Sequence, residues 1–318
     1  MRFHSETMNI LTGDCLSLLP TLDAQSVQCV VTSPPYYGLR DYGVDGQIGL
    51  EQTPAEYIGK LVAVFREVWR VLKDDGTLWL NLGDSYTTGG SGQNFSAEHG
   101  STANSTTTIG GYGHRRQNPV AGMPTKNLVG VPWRVALALQ ADGWYLRSDI
   151  IWNKPNPMPE SVTDRPTKAH EYIFLMAKQE RYYYDAAAIE EKAIMASGKS
   201  GFGGPKNNNG KLAHTNEFGK SWEKREQRNR RSVWTVPTHS YSGAHFATFP
   251  PKLIEPCILA GSREGDTVLD PFTGAGTTGL VSIQHHRKFV GIELNPAYVE
   301  LAKARLANVQ QTLFPARA

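Results

Sequence analysis

The sequence predicts an α/β fold, an open and mostly parallel sheet with helices on both faces and one inserted region. Three observations lead there. Short apolar runs rich in β-branched residues alternate with stretches of helical apolar spacing over most of the 318 residues. Two of those runs end in turns built from proline or glycine with polar neighbours, as strands do when they feed a ligand site. Residues 87–118 and 187–240 interrupt the alternation with polar, glycine-rich composition.

In chain order, residues 8–14 read as a short strand ending in Gly13-Asp14, and residues 15–22 have helical spacing. Asp14 caps that helix or faces a ligand, and one carboxylate can do both. Residues 27–31 make a buried strand. The clearest helix spans 57–72, with Tyr57, Leu61, Val64, Phe65, Val68 and Leu72 along one face. Asp74-Asp75-Gly76 ends it, and residues 77–82 return as a strand, closing a strand-helix-strand unit. A helix over 131–139, a strand from Trp144 exiting at Pro155, and a strand over 170–177 follow. A helix over 254–260, two further strands and a last helix over 296–306 complete the pattern.

Thr32-Ser33-Pro34-Pro35-Tyr36 follows the strand at 27–31. Neither proline has an N–H to donate and each fixes its own φ, so the strand stops there. Ser33 and Pro34 each precede a proline and are held extended. A stiff platform results, carrying the Ser33 hydroxyl, the Pro34 carbonyl and the Tyr36 ring. It suits a flat ligand bearing an amine, whose two protons the hydroxyl oxygen and the carbonyl accept while the ring stacks. A proline-rich turn covered by aromatics is the plainer alternative.

Residues 267–279 read as strand, acidic turn, glycine loop and helix start. Gly274 and Gly276 permit close backbone approach, and the helix that follows presents free N–H groups. The next strand ends in Glu293, 19 residues beyond Gly274. That is near the ~20-residue offset at which an acid meets ribose hydroxyls. The loop lacks the lysine of a P-loop and the third glycine of G-x-G-x-x-G, so it fits a nucleoside better than a pyrophosphate.

The motifs Ser33-Pro34-Pro35-Tyr36 and Asp270-Pro271-Phe272-Thr273-Gly274-Ala275-Gly276-Thr277-Thr278 resemble those of DNA amino-methyltransferases that use S-adenosylmethionine. Their order, catalytic motif first and cofactor loop near the C-terminus, is similar to the circularly permuted β-class over roughly 8–86, 128–178 and 244–308. The resemblance implies a Rossmann-like methyltransferase sheet, S-adenosyl-L-methionine as cofactor, duplex DNA as partner and a homodimer or higher homo-oligomer. It implies catalysis at Ser33, Pro34, Pro35 and Tyr36 on an exocyclic amine of a flipped base, with no metal. Cofactor contacts are implied at Asp14, Phe249, Asp270, Phe272, Gly274, Gly276, Thr277 and Glu293, with Asp14 on the adenine amine. Serine at the first motif position is common in cytosine-N4 enzymes. The run Tyr37-Gly38-Leu39-Arg40-Asp41-Tyr42 is instead similar to adenine-N6 enzymes of the class. Adenine-N6 is favoured, with cytosine-N4 as the alternative. Protein and RNA methyltransferases with a Pro-Pro-Tyr turn place the cofactor loop first, the reverse of the order here. A non-catalytic DNA-binding protein on a decayed fold is opposed by the two intact motifs.

The same resemblance divides the chain into a catalytic half, 1–186, with a loop at 87–118; a target-recognition insert, 187–240; and a cofactor half, 241–318. DNA contacts are expected at Arg40, at Arg115 and Arg116 where the loop ends, and at Lys224, Arg225, Arg228, Arg230 and Arg231 in the insert. From residue 199 to 231 nine Lys or Arg stand against three Glu. Such a run is either a solvated loop or a surface for phosphates and base edges. Twenty per cent charged and 40 % apolar residues describe an ordinary globular chain, and the net charge of +3 alone does not indicate nucleic acid. No apolar run reaches the length of a membrane span, and the first residues lack a signal-peptide core. Cys15, Cys29 and Cys257 are scattered, which predicts reduced, buried thiols in a cytoplasmic protein.

Overall fold

The computed structural model describes residues 7–39, 43–87, 120, 123–193, 226–238 and 249–313. Strand β1 (Met8–Thr12) leads into helix α1 (Cys15–Leu18), which Asp14 caps by accepting from the Ser17 amide at 3.2 Å. The expected helix over 15–22 stops early and gives way to a 3₁₀ turn over Leu19–Thr21. Pro20 is the reason, because it has no N–H and its ring would meet the Leu16 carbonyl in a continuous helix.

Strand β2 (Val27–Thr32) is buried along its length. Helix α2 (Pro54–Val71) begins with a complete capping box between Thr53 and Glu56 and with Pro54 in its first turn. Its inner face, Tyr57, Leu61, Val64, Phe65 and Val68, is wholly buried. Each such side chain contributes about 1.5–3 kcal/mol. Strand β3 (Leu72–Leu82) follows without a loop, so Asp74-Asp75-Gly76 lie inside the strand and do not separate helix from strand. The β2 pairing shifts register between Val27↔Leu72 and Cys29↔Thr77, and that irregularity absorbs the polar residues.

Helix α3 (Val131–Ala141), strand β4 (Tyr145–Asn153) and strand β5 (His170–Ala177) come next. The short strands β6 (Glu191–Lys192) and β7 (Gln227–Arg228) pair with each other. Strand β8 (Val233–Thr235), helix α4 (Pro251–Gly261), strand β9 (Thr267–Asp270), helix α5 (Thr277–Gln284), strand β10 (Lys288–Glu293) and helix α6 (Pro296–Leu313) complete the chain. Helix α4 starts earlier than expected, since a proline such as Pro251 fits a first turn.

The main sheet has the order β1-β10-β9-β2-β3-β5-β4-β8. Strands β1 to β3 in that order run parallel, whereas β5 lies antiparallel to both β3 and β4. Two compact units result, residues 186–231 and the remainder. Strand β8 falls inside the expected insert, 187–240, yet pairs with β4 in the main sheet, so the insert is shorter than its composition suggested.

Neighbouring strand residues face opposite sides. Val30, Leu78 and Leu80 pack into the core with α2, while the Cys29 thiol lies 3.9 Å from the Cys257 carbonyl of α4. Cys15, Cys29 and Cys257 are free and buried, and burial pushes the Cys15 and Cys29 thiols up to about 12. From the centre, β2-α2-β3 proceeds one way and β9-α5-β10 the other. The crevice at the carboxyl ends of β2 and β9 is therefore a topological switch point, where open sheets bind ligands. No described helix is long and apolar enough to cross a membrane.

Candidate active site

Ser33, Pro34, Pro35 and Tyr36, just beyond β2, line a cavity of about 500 Å³ at that switch point. Small-molecule sites usually occupy about 300–1,000 Å³. Asp14, Phe249, Asp270, Phe272, Gly274, Thr277 and Glu293 line the same cavity. Two motifs more than two hundred residues apart thus meet because β2 and β9 are neighbours.

Glu293 is set like a receptor for hydroxyl groups. Its Oε2 accepts from the Gly274 amide and its Oε1 from the Asn295 amide, both at 2.8 Å. The amides fix the carboxylate and leave a lone pair on each oxygen for further donors. Burial pushes its pKa up, and the same amides oppose that shift. Asp270 differs. Its Oδ1 accepts from Thr32 Oγ1 at 2.6 Å and from the Phe272 amide at 3.0 Å, and its Oδ2 accepts from Thr278 Oγ1 at 2.7 Å. Burial nevertheless pushes its pKa up to about 6. The Asp270 carboxylate braces β2, β9 and α5 from the cavity wall. Gly276 bears on the packing of the loop as well. Its φ is +76°, and a Cβ there would lie 3.1 Å from Ala302 Cβ, so it serves the turn and the seating of α5 on α6.

The Tyr36 hydroxyl anchors the platform. It donates to Glu171 Oε2 at 2.6 Å, with Asn81 Oδ1 at 3.1 Å, and receives the Ser33 hydroxyl proton at 3.3 Å. Ser33 Oγ therefore keeps its lone pairs for an incoming N–H. Asn81 Nδ2 donates to Glu171 Oε2 at 3.2 Å, and Lys154 forms an ion pair with Glu171. Burial, then the Glu171 charge, pushes the Tyr36 hydroxyl well above its usual pKa, so it remains a donor. The ring edge abuts Gly83, where a Cβ would come within 2.5 Å of Tyr36 Cε2. The Pro35 carbonyl accepts from the Tyr57 hydroxyl at 2.8 Å, which ties the platform to α2. Tyr37, by contrast, is buried against Tyr57 and donates to the Gln52 carbonyl at 3.2 Å.

Asp84, two residues beyond β3, accepts from the Gly130 and Val131 amides at 3.0 Å and so caps α3. Lys168 lies 3.7 Å from Asp84, and burial lowers the pKa values of Lys168 and His170. Asn81, Lys154 and Glu171 are site residues that sequence reasoning does not find. A charged residue heading the apolar strand 170–177 is the available signal, but only the antiparallel course of β5 brings Glu171 to the carboxyl ends of the parallel strands.

Arg40, Arg115, Arg116, Lys224 and Arg225 lie outside the described residues. Arg228, Arg230 and Arg231 belong to the smaller unit. Arg228 and Arg231 both donate to Glu191 Oε1, at 2.9 and 2.7 Å, so part of their charge is balanced within that unit.

A family model described as DNA methylase, of the N6_N4_Mtase type, matches residues 27–304. The type II methyltransferase M.Cfr9I of Citrobacter freundii is 49% identical over 297 residues, covering 93% of this chain and 87% of the relative. Among solved structures, a PvuII DNA methyltransferase described as cytosine-N4-specific aligns with a TM-score of 0.62 at 20% identity, over 98% of this chain and 94% of that one. A Thermus thermophilus protein described as a putative DNA modification methylase, solved with S-adenosyl-L-methionine, aligns with a TM-score of 0.59 at 23% identity, over 98% and 96% of the two chains. At such identities the two structures speak for the fold.

Proposed function

We propose that this chain, which belongs to the N6/N4 DNA methylase family and is an S-adenosylmethionine-dependent, site-specific DNA methyltransferase acting on an exocyclic amine, takes cytosine N4 as its target. The observation that carries the choice is Ser33, a neutral hydroxyl acceptor heading the platform, with its proton engaged by Tyr36. The run after Tyr36 favours adenine on its sequence alone. Adenine-N6 is the second reading.

The amine is a poor nucleophile because its lone pair is delocalised into the base. Ser33 Oγ and the Pro34 carbonyl accept its two N–H groups, which localises that pair on nitrogen. The Tyr36 ring stacks on the base, which must leave the duplex to reach it. Bound S-adenosyl-L-methionine supplies an electrophilic methyl group on a sulfonium. Glu293 receives ribose hydroxyls, Asp14 the adenine amine, and Phe249 packs near the methionine end. Holding both reactants in one cavity supplies much of the acceleration. The fixed Ser33 and Pro34 dipoles stabilise the positive charge that develops on nitrogen.

Mass spectrometry of nucleosides from methylated duplex tests the choice. N4-methylcytosine is the expected product, and N6-methyladenine alone would transfer the assignment to adenine. To the smaller unit we assign sequence recognition, and to the enzyme a homodimeric or higher homo-oligomeric state. Sedimentation showing only a 35.1 kDa species, with and without DNA, would dispose of the dimer.

A further inference from the structure

Residues 154–169 join two antiparallel strands, β4 and β5, a connection that about 2–5 residues commonly make. The long connection carries Met158, 77% exposed and the most exposed large apolar side chain among the described residues. Met158 also lines the cavity that holds Ser33 and Tyr36, so it stands at the opening. Pro157 and Pro159 flank it and fix their own φ, while Asn156 and Met158 are held extended as residues preceding proline. The backbone on either side is clamped. Asn156 Oδ1 accepts from the Thr238 amide at 2.9 Å, and Thr238 Oγ1 donates to the Asn156 carbonyl at 3.3 Å. Arg165 donates to Glu160 Oε2 at 2.7 Å, and its guanidinium lies 3.9 Å over the Tyr86 ring. A stiff strap thus holds a long thioether side chain out into solvent beside the catalytic cavity.

Exposing that side chain gains nothing in folding. A base rotated into the cavity leaves a slot in the duplex lined by the flat apolar faces of its neighbours. Apolar side chains, methionine among them, insert between base steps in other DNA-binding proteins, and a slot already opened by a flipped base offers such a side chain the same apolar faces. We propose that Met158 enters the DNA stack and fills the space vacated by the target base. The assignment rests on the chain being a base-flipping DNA methyltransferase. Met158 is then a positioning residue, holding the flipped state open without touching the reacting atoms.

The test uses the full chain and a duplex carrying its own methylation site, mapped by sequencing of methylated DNA. Single-turnover methyl transfer is measured for wild type, Met158→Ala and Met158→Leu. Two duplexes are used, one paired normally and one with an abasic site opposite the target base. On the paired duplex Met158→Ala should lose about tenfold in rate and Met158→Leu should recover most of it. On the duplex with an unpaired target the Met158→Ala loss should shrink to within about twofold, since little stacking remains to be broken. Equal losses on both duplexes, or no loss on either, would overturn the proposal. Failure to map any methylated site in DNA treated with wild type would instead remove the methyltransferase reading beneath it.

Discussion

Replacing Glu171 by Gln tests the anchor beneath the catalytic platform. Glu171 and Lys154 are only 14% and 17% exposed, so their pair is largely out of water. Removing one partner of a buried pair typically costs about 3–5 kcal/mol, because the other charge is left unpaired. Here Lys154 retains some solvent and the face of Trp152, 4.2 Å from its ammonium to the ring centroid. Glutamine also keeps an oxygen for Tyr36. The expected loss is therefore about 2–3 kcal/mol in urea unfolding. Methyl transfer should fall further than stability, since displacing a positioned group by about 1 Å costs on the order of 10²-fold. Adding Lys154→Met removes the orphaned charge and should restore most of the stability. It should not restore the rate, because Tyr36 still lacks its charged acceptor. A single variant within about 0.5 kcal/mol and a few-fold of wild type would refute the anchor.

Glu293→Ala should weaken S-adenosylmethionine binding by ~1.5–3 kcal/mol for each ribose hydrogen bond lost, and unchanged calorimetric affinity would remove Glu293 from the cofactor site. Gly83→Ala should cripple transfer by displacing the Tyr36 ring while leaving cofactor affinity intact; normal turnover would mean the ring is not held there. Asp270 has a folded pKa of about 6 against an ordinary 3.8, so the folded chain binds the extra proton. Its contribution to stability is full below about pH 4 and is lost as pH rises to about 6, a change on the order of 1–3 kcal/mol. Asp270→Asn should flatten that slope, and a urea series from pH 4 to 6 that still shows it would rule Asp270 out as the source.

The two motifs are legible in the sequence because their chemistry is local. Consecutive prolines stop a strand wherever they occur, and a glycine loop between a strand and a helix start presents amides regardless of what packs around it. Helix α2 is equally readable, since its buried face follows from apolar spacing alone. The tertiary structure decides what depends on strand direction and neighbours. Parallel pairing of β2 with β9 joins the motifs in one cavity, and the antiparallel turn of β5 delivers Glu171 beneath Tyr36. Asp270 and Gly276 look like ligand contacts in the sequence because they sit in the cofactor motif. Packing adds what the motif does not show: Asp270 also braces Thr32 and Thr278, and Gly276 also seats α5 on α6. Strand β8 is hidden in a polar segment because three residues carry too little pattern to announce a strand. What a residue touches across the sheet is set by register, and register is a property of the folded chain.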